Sequence, residues 1–192
     1  MQTRINQLFE QSAKCHQDAG DNLSEALISA SELMAESLLT EKKIMSCGGG
    51  SANSLSQYFC YTLLNQLERE RPALPAFNLC SESALSSITE NPDSSELFSN
   101  QIQALGYEGD TLLVIANAEQ NASLHQAIHT AEQRQINVVL LNCNQERWWD
   151  NEPADNRVEL FSPTDSPVLA QQLHLIALQT ICELIENQLF GE

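Results

Sequence analysis

The chain is poor in positive charge. Nine Lys and Arg stand against 26 Asp and Glu in 192 residues, a formal net charge of −17. Affinity for nucleic acid comes largely from Lys and Arg set against phosphates, so this balance opposes direct binding to DNA or RNA. No uninterrupted apolar run approaches the roughly 20 residues that span a bilayer. The opening residues, MQTRINQLFEQSAKC, have no apolar block of the signal-peptide kind, which predicts a cytoplasmic protein. There is no low-complexity linker and no internal repeat, so one domain is expected over residues 1–192.

Cysteine is present but not patterned. Cys15, Cys47, Cys60, Cys80, Cys143 and Cys182 form no C-x-x-C pair and pair with no His at zinc-finger spacing. They read as reduced thiols, mostly buried as small apolar side chains, and neither a structural metal nor a cofactor is expected. Glycine is also scarce, seven in all, yet three stand together in Gly48-Gly49-Gly50.

Around that triplet the pattern is regular. Ile5, Leu8, Phe9 and Ser12 follow helical spacing, and Asp21 or Asn22 can cap a second helix whose stripe runs from Leu23 to Leu38. Strands are predicted at Ile44–Cys47, Leu74–Leu79, Thr111–Ile115, Ile136–Leu141 and, at an edge, Arg157–Phe161. Helices are predicted from Asn53, over Glu82–Glu90 and Ser94–Leu105, over Ala122–Arg134, and from Pro167 to Leu189. Short apolar strands alternating with helices imply an α/β fold: a doubly wound, parallel, five-stranded sheet of flavodoxin type flanked by helices, with two extra N-terminal helices and a long C-terminal one. Strand order 2-1-3-4-5 puts the ligand crevice at the carboxyl ends of strands one and three, where the winding reverses. The loops there are Gly48–Asn53 and Ala116–Asn121. In the first, glycines let backbone N–H groups approach an oxyanion, the helix that follows adds its positive end, and Ser51 and Asn53 can donate from their side chains or cap that helix.

The stretch CGGGSANSLSQYF resembles the C-G-N-G-x-S motif and following helix of the SIS (sugar isomerase) domain family, in the branch of phosphoheptose isomerase and DiaA, the DnaA initiator-associating group. The stretches Glu70-Arg-Pro-Ala-Leu-Pro-Ala76, Ala104-Leu-Gly-Tyr-Glu-Gly-Asp110, Gln171-Gln172-Leu173-His174 and Asn187-Gln188-Leu189-Phe190 extend the similarity over nearly the whole chain. The resemblance implies a degenerate phosphosugar crevice formed by Gly48, Gly49, Gly50, Ser51, Asn53, Asn117, Glu119 and Asn121. The isomerases carry S-T-S-G-N-S after strand three; here the aligned residues are Ala116-Asn-Ala-Glu-Gln-Asn121, without a hydroxyl and with Glu119 in place of glycine. A carboxylate about 4 Å from a phosphate costs about 4 kcal/mol at an effective dielectric near 20. Of the acid–base groups the resemblance implies, His174 is retained. The catalytic Glu position falls at Thr62, a neighbouring His that is linked to metal in some members falls at Tyr58, and the Glu before the last-helix His falls at Gln172.

The resemblance therefore implies a non-catalytic homotetramer, joined through residues 1–40 and the last helix, that binds DnaA and promotes its assembly at the replication origin. Four linked sites raise effective concentration without touching DNA. Leu189 and Phe190 are the expected partner contacts. The alternative is an enzyme that isomerises sedoheptulose 7-phosphate with His174 as its catalytic group, or a phosphosugar sensor using the first loop.

Overall fold

The computed structural model describes all residues except 81–94, 117–120, 144–147, 150–153 and 192. Along the chain run α1 (Gln2–Leu39), β1 (Ile44–Gly48), α2 (Ala52–Leu64), β2 (Ala76–Asn78), α3 (Ser99–Leu105), β3 (Thr111–Ile115), α4 (Ala122–Gln133), β4 (Asn137–Asn142), β5 (Arg157–Phe161) and α5 (Pro167–Phe190). The strands form one parallel sheet in the order β2-β1-β3-β4-β5, as the alternation predicts. The expected helix over Glu82–Glu90 lies outside the described residues.

Side chains alternate across the sheet and build two apolar layers. Ile44, Leu113, Ile115, Val139, Leu141 and Leu160 face α1, α2 and α5. Met45, Cys47, Leu112, Val114, Val138 and Leu140 face α3, α4 and Trp148. Every residue of β1 and β3 is buried, which is why neither alternates apolar with exposed polar residues. At the amino end of the sheet Asp110 accepts from the Lys43 and Tyr107 backbone N–H groups at 3.0 and 2.7 Å and pairs with Lys43 Nζ at 2.6 Å, which ties the starts of β1 and β3 together.

One expectation is corrected. The two N-terminal helices are one: α1 runs unbroken for 38 residues, about 57 Å at about 1.5 Å per residue. Asn22, one of the two expected caps, bonds back into the helix instead, its Nδ2 donating to the Asp18 carbonyl at 2.7 Å, and Ser24 Oγ likewise donates to that of Gly20. Ala19 and Leu23 are buried on either side of this point, so packing carries the helix through Gly20. The long C-terminal helix α5 passes the length and composition test for a membrane span. Here it is the central helix of one apolar layer, with Leu173, Leu178, Ile181 and Ile185 fully buried. Its inward stripe includes His174 and leaves Ile176 47% exposed.

Candidate functional site

The parallel register places the carboxyl ends of β1, β3 and β4 side by side, with Gly48 opposite Ile115 and Ile115 opposite Leu141. The chain leaves β1 through the glycine triplet. Gly50 has φ +54°, a left-handed conformation that glycine alone adopts without cost. A Cβ on Gly48 would stand 2.7 Å from the Ala52 backbone, so the turn into α2 closes only without one. Ser51 occupies the N-cap position, and its side chain makes no cap bond. Among the described residues the Gly50 N–H has no acceptor. The loop thus offers backbone donors at the positive end of α2, the arrangement that holds an anion.

Asn121 joins the second loop to the first. It caps α4: its Oδ1 accepts from the Ser123 N–H at 3.1 Å, from Ser123 Oγ at 2.6 Å and from the Leu124 N–H at 3.4 Å. With the oxygen so engaged, Nδ2 projects toward the first loop, where a Cβ on Gly49 would meet it at 2.8 Å. The structure therefore brings Gly48, Gly49, Gly50, Ser51, Asn53 and Asn121 together. Asn117 and Glu119 lie outside the described residues.

His174 lies on the same side of the sheet as α2, close to Asn142 at the carboxyl end of β4. It is 1% exposed. Neither ring nitrogen makes a well-formed hydrogen bond to a described residue, although the Asn142 backbone interacts with the ring. Burial drives its pKa down from 6.5 to about 4, and the nearby Asn142 backbone offsets part of that fall. The ring is consequently neutral at pH 7. A fully buried imidazole without a well-formed hydrogen bond is costly to stability.

The other positions at which the family resemblance places acid–base groups are committed elsewhere. Thr62 is buried, and its hydroxyl donates to the Phe59 carbonyl at 2.8 Å and lies 3.2 Å from Cys182 Sγ. Tyr58 accepts from Gln179 Nε2 at 3.1 Å. Gln172 accepts from Ser12 Oγ at 2.7 Å and so fastens α5 to α1. Among the described residues no three His, Cys, Asp or Glu side chains gather as metal ligands. All six cysteines are free and five are buried, with burial pushing Cys60 and Cys182 up to about 12 and Cys47 higher still.

A family model described as the SIS domain matches residues 7–142. The chain belongs to the SIS-domain family. Among curated SIS-domain relatives, a phosphoheptose isomerase of Alkalilimnicola ehrlichii is 38% identical over 98% of this chain and 96% of its own length. One from Chromohalobacter salexigens is 37% identical over 99% and 97%. Among solved structures, the phosphoheptose isomerase of Francisella tularensis superposes with a TM-score of 0.88 at 28% identity, covering 96% of this chain and 97% of that one. The enzyme of Neisseria gonorrhoeae gives 0.87 at 27%, covering 97% and 98%.

These relatives correct the functional expectation. The full-length similarity leads to phosphoheptose isomerases, and it favours the phosphosugar alternative over DnaA assembly at the origin. The expected partner contacts, Leu189 and Phe190, lie at the end of α5. Leu189 is partly buried against the core layer. Phe190 is 36% exposed, and its carbonyl accepts from Arg69 Nη2 at 3.1 Å. Both lie about 24 Å along α5 from His174, at about 1.5 Å per residue, and neither reaches the crevice.

Several residues that hold the site were not singled out in the sequence. Arg71 has a guanidinium 1% exposed. It pairs with Glu186 at 2.7 Å and donates to the Leu63 and Thr62 carbonyls at 2.8 and 2.7 Å, which clamps the end of α2 to α5. Ser46, Ser56 and Asn78 form a polar chain under the first loop. A polar residue at the carboxyl end of a parallel strand, as Asn78 is, was the available signal.

Proposed function

We propose that this chain is a phosphosugar isomerase of the phosphoheptose class, acting on sedoheptulose 7-phosphate. The observation that supports it most is the full-length relation to phosphoheptose isomerases at 37–38% identity. The crevice agrees with it chemically. The phosphate is held by the Gly48–Ser51 loop at the N-terminus of α2 and by Asn121 Nδ2 from the other side. Interconversion of aldose and ketose moves a proton between adjacent carbons, which needs a group able to take it up and return it. His174, neutral at pH 7, is that group. Thr62 has no part in it, since its hydroxyl is bonded inside α2 and does not ionise near neutral pH.

That absence favours one second reading, a protein that binds the phosphosugar without turning it over. The two are separated by incubating the purified protein with sedoheptulose 7-phosphate and following heptose phosphate by NMR, beside a calorimetric titration of the same sugar. Turnover that disappears in His174→Ala supports the isomerase. Saturable binding with no product supports the second reading, and neither binding nor product refutes both. A homo-oligomer is part of the proposal, supported by the apolar side chains that α1 leaves in solvent: Ile5 at 48%, Leu8 at 48% and Phe9 at 75% exposure.

A further inference from the structure

The polar chain beneath the first loop has a use that the proposed chemistry leaves open. Ser46 Oγ in β1 and Ser56 Oγ in α2 are 2.6 Å apart, both fully buried. Asn78, at the carboxyl end of β2, donates from Nδ2 to Ser56 Oγ at 2.5 Å and to the Ser46 carbonyl at 3.3 Å. Its Oδ1 accepts the Cys80 N–H at 2.8 Å. This last bond decides which way round the Asn78 amide lies: oxygen toward Cys80, nitrogen toward α2. The same nitrogen reaches Asn53 Oδ1 at 3.4 Å, so its two N–H groups serve three acceptors, one N–H being shared between two of them.

Asn53 is the second residue of α2, beside the glycine loop. A donor on one side of its amide selects the oxygen for that side. The NH2 group is then turned the other way, where it makes no hydrogen bond among the described residues. An Asn in either orientation has nearly the same shape, yet the two differ sharply toward an anion: one offers donors, the other a repelling oxygen.

We propose that Asn78 is a positioning residue for the ligand site, holding Asn53 with its NH2 group toward the phosphorylated sugar. The inference rests on the phosphosugar reading. Asn78→Asp keeps the shape and the acceptor for Cys80 but removes the donors. Asn53 then turns its own NH2 to the new carboxylate and presents its oxygen to the ligand.

The test is a calorimetric titration of sedoheptulose 7-phosphate into wild type, Asn78→Asp, Asn53→Ala and the double variant. Asn78→Asp is expected to weaken binding about tenfold, the size of one lost hydrogen bond to a charged group, and to cost nothing further once Asn53 is Ala. An equal loss in both backgrounds, or none in the first, overturns the inference, because Asn78 would then act through the fold or not at all. Asn78→Ser, neutral and smaller, guards against misfolding of the Asp variant. Its binding is expected to fall less, and again only while Asn53 is present. No heat with the wild-type protein overturns the phosphosugar reading, and this inference with it, before any substitution is compared.

Discussion

The stability of this protein should fall in mild acid because of one side chain. His174 is held at a pKa of about 4 in the folded protein, against 6.5 when it is released to water. The unfolded chain therefore binds the proton more tightly, so acid favours unfolding. The neutral buried ring costs nothing in proton linkage above pH 6.5. Below that, stability is lost progressively until about pH 4, where the folded state begins to take up the proton too. Evaluated at pH 5, the linkage amounts to about 2 kcal/mol, and over the whole interval to about 3 kcal/mol. His174→Leu isolates this term, since it fills a similar volume and does not titrate. The measurement is urea unfolding of both proteins at pH 7 and pH 5, at one protein concentration and one ionic strength. Wild type should lose about 2 kcal/mol more than the variant between the two pH values. At pH 7 the variant should be at least as stable as wild type, because a poorly satisfied buried ring is replaced by an apolar side chain. Parallel losses in the two proteins would refute the reasoning and place a partner on the ring.

Other substitutions test other links. Gly49→Ala drives a methyl into Asn121 Nδ2, and should weaken phosphosugar binding about tenfold while thermal stability changes little, read by calorimetry and melting. Gly50→Ala, at φ +54°, should cost about 1 kcal/mol in urea unfolding. Arg71→Met leaves Glu186 buried without its cation and should destabilise by about 3–5 kcal/mol, and Arg71→Met/Glu186→Leu should recover most of that loss. Phe9→Ser removes the most exposed large apolar side chain of α1, and sedimentation should show a smaller assembly than wild type.

Much of the fold was legible in the residues, because parallel strands buried on both faces must be apolar throughout. Thr111–Ile115 and Arg157–Phe161 match their expected bounds, and the strand order follows from the alternation with helices. The glycine triplet was legible too, since only glycine tolerates the positive φ at Gly50 and the close approach at Gly48. The break near Asp21 was misread because local cap chemistry was weighed without the packing of α1 on α5. The function was misread for a related reason. Losses at Thr62 and over Ala116–Asn121 were weighed as a list of missing groups, whereas the relation to phosphoheptose isomerases runs the length of the chain.

Sequence by itself determined the α/β class, the sheet order and the place of the crevice, because these follow from hydrophobic period and chain topology, which are local or combinatorial. Tertiary structure decided what no period encodes. It turned His174 inward, 1% exposed, beside the Asn142 backbone. It set Asn121 against Gly49, 72 residues away in sequence, and lined up Asn78 with Asn53 beneath the loop. Such contacts depend on which face a helix presents and which end of an amide meets a donor. Those are fixed only when the layers close.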